Sequence, residues 1–140
     1  MYTFEDIRSM SGNVLRSKST QKRYVAIRRV ILAKYSSYED YVKIKYMGFA
    51  PVAFPGSKIT AIKDDGVKTF YIGKNRFPYD VKRGIRHWVL FSLRALSVKA
   101  QKKIIESSIP KNAEYVFYMN AKETQSMPKL WHVQIFWKST

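Results

Sequence analysis

Residues Leu130 to Trp137 alternate in a way that an extended strand can use and a helix cannot. Leu130, His132, Gln134 and Phe136 fall on one face, and Trp131, Val133, Ile135 and Trp137 on the other. The run from His87 to Leu93 repeats the pattern. His87, Val89 and Phe91 share one side, while Trp88, Leu90 and Ser92 share the other. Strands need partners, and the chain offers three more runs of the same kind. Ile59 to Ile62 reads as a short edge strand, Val67 to Ile72 as a strand after the Asp64-Asp65-Gly66 turn, and Glu114 to Met119 as another. Between the strands at 67–72 and 87–93 lies a turn built on Pro78 and Gly84.

Helical signals cluster elsewhere. Thr3, followed by Glu5 and Asp6, predicts a helix start with acids at its positive end, and Gly12 a stop. Ser19 or Thr20 is the expected cap of a second helix, in which Tyr24, Ile27, Ile31 and Tyr35 recur at helical spacing. Ser37 caps a third, with Glu39 and Asp40 in its first turn and Gly48 as its stop. Phe49 to Ser57, with Pro51, Pro55 and Gly56, reads as a linker. Ser97 caps a last helix over 98–108, with Val98, Gln101 and Ile105 on its inner side, Lys99, Lys102 and Lys103 outside, and Pro110 ending it. The expectation is one α+β domain over 1–140. Its helical part covers 1–50 and its strand-rich part 57–140, with a mainly antiparallel sheet and one packed helix.

Composition narrows the function classes. An apolar fraction of 46% and an aromatic fraction of 15% support a core rather than a disordered chain. No apolar run reaches membrane-spanning length, and Met1 to Asp6 is no signal peptide. There are no cysteines, which excludes disulfides and thiolate metal sites and fits a reducing compartment. Two histidines cannot alone make a zinc site, so neither metal nor cofactor is expected. The net charge is +16, divided as +6 over residues 1–50, +6 over 51–97 and +4 over 98–140. Charge spread over a folded domain in this way attracts polyanions, nucleic acid first. Lys22, Arg29, Arg76, Lys82, Arg83 and Lys102 are the candidate phosphate contacts, although a basic residue on a helix also serves simply as a solvated face.

Chemistry has few other footholds. The six glycines are scattered, so there is no phosphate-binding loop. No Ser-His-Asp set or carboxylate pair stands out. What remains is His87 near the start of one strand and His132 inside another, with Gln134 two residues on. Neighbouring strands can bring both imidazoles to one face, placing a nucleophile or general base beside an amide donor. The bland alternative is two partly buried histidines, each with one hydrogen bond.

Several segments resemble a known family. Leu15 to Phe49, Asn75-Arg76-Phe77-Pro78-Tyr79, Gly84-Ile85-Arg86-His87 and Pro128-Lys129-Leu130-Trp131-His132 look like a family of fungi and large DNA viruses. Its fungal members are labelled N-acetylglucosamine-induced proteins, and its function is uncharacterised. The basic composition is more like a giant-virus member, of the marseillevirus type. That implies a viral protein acting in the host cytoplasm or nucleus, or packaged in the virion. A second similarity is to the histidine triad superfamily, and it implies a histidine-triad-like sheet. Leu130-Trp131-His132-Val133-Gln134 is similar to the His-x-His-x-Gln version of hexose-1-phosphate uridylyltransferases. By that resemblance His132 is the nucleophile, Gln134, Gln125 and Ser126 hold phosphate, Asn120 holds ribose, and a nucleotide is the partner. Leu130 stands in place of the first histidine, and the glycines between Asn120 and Gln125 are missing. Two expectations follow. One is a polyanion-binding protein without catalysis. The other is a nucleotidyl transferase or hydrolase using His132, with His87 the only other imidazole available to assist it.

Overall fold

The computed structural model describes residues 1–10, 12–121, 125 and 127–139. Within them the chain is α+β. Three helices come first: α1 (Phe4–Met10), α2 (Lys18–Lys34) and α3 (Tyr38–Met47). Strands β1 (Ala50–Val52), β2 (Thr60–Ile62), β3 (Phe70–Lys74) and β4 (Arg86–Ser92) follow, then α4 (Val98–Ser108), β5 (Glu114–Tyr118) and β6 (Trp131–Lys138). β1 and β2 form an antiparallel pair of their own. The main sheet is antiparallel throughout, in the order β3-β4-β6-β5.

Local chemistry accounts for the helix ends. The Thr3 hydroxyl accepts from the Asp6 N–H at 3.1 Å while the Asp6 carboxylate accepts from the Thr3 N–H at 2.9 Å, a reciprocal cap that starts α1. Ser37 and Ser97 cap α3 and α4 by accepting from the N–H groups of Asp40 and Ala100. The cap of α2 is Ser17, not Ser19 or Thr20. The Ser17 hydroxyl accepts from the Thr20 N–H, so the helix begins a half-turn earlier than expected. α3 stops at Gly48, whose φ of 78° is left-handed.

Two expected boundaries move. The segment 49–57 is not simply a linker, because residues 50–52 are β1 and pair with β2 despite Pro51. A two-stranded ribbon has an outer edge where proline's missing N–H goes unnoticed. β3 begins at Phe70 rather than Val67, because the Lys68 N–H is used by the Met47 carbonyl at the end of α3.

The main sheet is covered on both faces. On one, Val89, Phe91 and Leu130 pack with Tyr24 and Ile31 of α2 and Tyr38, Val42 and Met47 of α3. At the end of the same face, Phe4 and Ile7 of α1 pack with Phe136. On the other, Leu90, Val133, Ile135 and Trp137 pack with Ile105 and Ile109. The expected strand faces are therefore the observed ones. Gln101 and Ile105 do face inward on α4, but Val98, its first residue, is exposed. Among the described residues no helix is long and apolar enough to cross a membrane.

Candidate functional site

The register of β4 and β6 places His87 opposite Phe136, Val89 opposite Gln134 and Phe91 opposite His132. With a side-chain period of two, His87, Gln134 and His132 all point to the face under the N-terminal helices. All three are buried. Along that face the two imidazoles are separated by the rung that carries Gln134.

Their hydrogen bonds fix their protons. The Tyr79 N–H donates to His87 Nδ1 at 3.0 Å, so Nδ1 holds a lone pair and Nε2 the hydrogen. His87 Nε2–H then donates to Gln134 Oε1 at 2.6 Å. Both ring nitrogens are occupied, and the ring is stacked on Phe136 and packed against Tyr79. Burial is the main cause that pushes its pKa down to about 3, with the nearby Arg16 acting in the same direction. His87 is a neutral donor whose hydrogen bonds end on Tyr79 and Gln134.

His132 is the opposite case. Its Nδ1 lies 2.8 Å from the Leu130 carbonyl oxygen, which can only accept, so Nδ1 carries the hydrogen and Nε2 the lone pair. No second hydrogen bond to this ring is found among the described residues. Burial lowers its pKa, while the Leu130 carbonyl and the Glu39 carboxylate pull it upward. Glu39 is itself buried in the first turn of α3, where its carboxylate accepts from the Lys129 N–H at 3.0 Å.

His132 and Gln134 line a cavity of about 90 Å³ between the sheet and the helices. Asn75, Asn120, Arg16, Lys74 and Arg76 also line it, with several tyrosines and, among the described residues, no Asp or Glu. Arg16 is held in place. Its Nε donates to the Phe77 carbonyl at 2.8 Å and its guanidinium lies 4.2 Å from the centre of the Tyr24 ring. Arg76 donates to the Tyr41 hydroxyl at 3.0 Å. None of these three cations has a carboxylate partner among the described residues. Burial pushes the Tyr38 hydroxyl up to about 12, so it stays a neutral donor. Asn120 donates to the Tyr79 hydroxyl at 2.8 Å, and its own Oδ1 is buried with no partner among the described residues. A small cavity with donors and cations suits an anion, and the imidazole lone pair adds a nucleophile to it.

The family described as a protein of unknown function (DUF3605) matches residues 7–138. The chain belongs to that family. Among curated proteins none matches. Among solved structures the chain is similar to that titled "Crystal Structure of HTC1", with 17% identity, a TM-score of 0.66, and coverage of 100% of this chain and 86% of that one. At that identity the likeness concerns the fold.

Other candidate residues of this DUF3605 chain are placed differently. Gln125 does not line the cavity; its amide donates to the Asn120 carbonyl at 2.9 Å. Ser126 lies outside the described residues. Lys22, Arg29, Arg76, Lys82, Arg83 and Lys102 do not form one surface. Lys22 and Arg29 line a shallow groove on α2, Arg76 is at the cavity, and Lys102 is on α4, across the sheet. Among the described residues no cluster of His, Cys, Asp and Glu could hold a metal. Arg16, Asn75 and Glu39 escaped the sequence reading as site residues. Only Asn75 left a signal, an Asn two residues before Phe77, where an Asx turn is common.

Proposed function

We propose that this protein binds a phosphate ester at the His132 cavity and that His132 Nε2 is a nucleophile toward phosphorus, as in a nucleotidyl transferase or hydrolase of the histidine-triad kind. One observation carries the reading: His132, whose Nε2 has no hydrogen-bond partner among the described residues, lines a cavity that Arg16, Lys74 and Arg76 also line and that no described Asp or Glu lines. The volume sets the scale. About 90 Å³ corresponds to a few waters at about 30 Å³ each, well below the roughly 300–1,000 Å³ of drug-sized pockets. That scale suits a phosphoryl group better than a nucleoside. The rest of the ester would lie in the adjoining groove along Gly12 to Leu15, which shares Arg16, Tyr79 and Asn120 with the cavity.

In the reaction, Nε2 bonds to phosphorus as the bond from phosphorus to the leaving oxygen or nitrogen breaks. The imidazolium so formed keeps its Nδ1–H on the Leu130 carbonyl, and Glu39 offsets its charge. The cations and the Gln134 amide receive the charge on the phosphoryl oxygens, with Ser126 as a further donor and Asn120 facing the sugar. Water then attacks phosphorus and frees the ring. The test is turnover of adenosine phosphoramidate, dinucleoside polyphosphates and nucleotide sugars by wild type and His132→Ala, with intact-mass detection of a nucleotidyl-histidine. Wild type as inert as His132→Ala ends the catalytic reading.

A second reading, binding of nucleic acid or another polyanion without catalysis, is favoured by the cations on both sides of the sheet. Kinship with the N-acetylglucosamine-induced proteins and their giant-virus relatives belongs to this reading, as does a place in the host cytoplasm or nucleus or in the virion.

A further inference from the structure

We infer that the turn from Asn75 to Tyr79 determines the polarity of the cavity beside His132, by forcing the Gln134 amide to present its NH₂ and never its carbonyl. His87 is the positioning residue of this device. It rests on the phosphate reading only for the identity of the ligand.

Gln134 is a buried amide whose two ends differ in chemistry, so its orientation decides what the cavity offers. Two chains of hydrogen bonds meet on its Oε1, and the shorter contact, from His87, dominates the longer one from Asn75. The first starts at the Tyr79 N–H, which only donates. It fills His87 Nδ1 at 3.0 Å, which leaves the ring hydrogen on Nε2, and that hydrogen meets Gln134 Oε1 at 2.6 Å. The second starts at the Phe77 N–H, which fills Asn75 Oδ1 at 2.9 Å. Asn75 Nδ2 is then the end turned toward Gln134, and it donates to the same Oε1 at 3.3 Å.

Reversing Gln134 would set its NH₂ against two donors. Moving the ring hydrogen of His87 to Nδ1 would repair one clash and create another at the Tyr79 N–H. Reversing Asn75 would do the same at the Phe77 N–H. One arrangement satisfies every group, and in it Oε1 is doubly occupied. The Gln134 Nε2 has no partner among the described residues, and Gln134 lines the cavity. The cavity wall beside His132 is therefore a donor. Its ligand must bring an acceptor there, as a phosphoryl oxygen does, and an ammonium, which has donors only, is rejected.

The test uses inorganic phosphate as probe, titrated into the full chain by NMR, with His87→Phe and His87→Gln as variants. Phenylalanine keeps the ring but donates nothing, and glutamine restores a donor near Nε2. A hydrogen bond to a charged group contributes enough that its loss weakens binding about tenfold or more. The expected result is that loss in His87→Phe and recovery to within a few-fold of wild type in His87→Gln. Equal phosphate binding by wild type and His87→Phe overturns the inference and leaves the phosphate reading standing. Wild type that binds no phosphate overturns the phosphate reading instead. The relay also has a ligand-free readout in the ¹⁵N shifts of His87, which should report the Nε2–H tautomer. An Nδ1–H tautomer overturns the relay whatever the cavity binds.

Discussion

His87 enters the fold as a neutral base, and that has a sign. Its folded pKa of about 3 lies below an unfolded value of about 6.5, so below pH 6.5 the unfolded chain binds a proton that the folded chain refuses. Its stabilising contribution is complete above pH 6.5 and falls by about 1.4 kcal/mol per pH unit on the way down toward 3. His132, also lowered by burial, adds to the slope in part of that window. Urea unfolding at steps from pH 7 to pH 4.5, above the range where most carboxylates titrate, should show the loss, and His87→Gln should remove most of it. A pH-independent midpoint over that range would mean that His87 is protonated in the folded protein. At this scale the sequence was informative about which residues meet. Alternation put His132 and Gln134 on one face of their strand, and left His87 able to join them if the two strands were neighbours. It carried no information about where the ring hydrogens sit, because those depend on the Tyr79 N–H and the Leu130 carbonyl, backbone groups that any sequence possesses.

The elements obey local rules where local chemistry is strong. Ser37, Ser97 and Gly48 act where an N-cap or a left-handed stop was expected, and the strands at 86–92 and 131–138 follow the period of two. The rules fail where tertiary contacts take over. Pro51 and the nearby Pro55-Gly56 resemble a linker, yet β1 forms because β2 returns to pair with it. Gly48 offers a measurement of such a contact. A Cβ there would lie 2.5 Å from the Gly66 carbonyl oxygen, in addition to the strain of φ 78°. Gly84 has φ 95°, and a Cβ on it would meet nothing within 4 Å. Left-handed strain alone costs about 1–2 kcal/mol. Gly84→Ala should therefore lose about that amount in urea unfolding, and Gly48→Ala clearly more. Equal losses would show that the Gly48–Gly66 approach yields freely.

At the scale of the whole molecule the dominant quantity is charge. With cations over both sides of the sheet, binding to mixed DNA and RNA should be weakly selective and steeply dependent on salt. About six phosphate contacts predict roughly a thousandfold loss between about 50 and 200 mM salt, and fluorescence anisotropy across that range checks it. No binding at the low end removes the polyanion reading and leaves the cavity as the chain's anion site. Much of the cavity was hidden from sequence reasoning for a reason of distance along the chain. Arg16 meets Phe77 and Glu39 meets Lys129 across separations of 61 and 90 residues, and no spacing rule reaches that far. The sheet order β3-β4-β6-β5 carries a consequence of its own in time. β6 comes last among the strands yet lies between β4 and β5, which do not pair with each other. During synthesis, β4 and β5 leave the ribosome as edges without a centre, and the inner face of α4 waits uncovered with them. The sheet can close only when residues 131–138 arrive, so until then the open edge of β4 and both edges of β5 depend on whatever shields them.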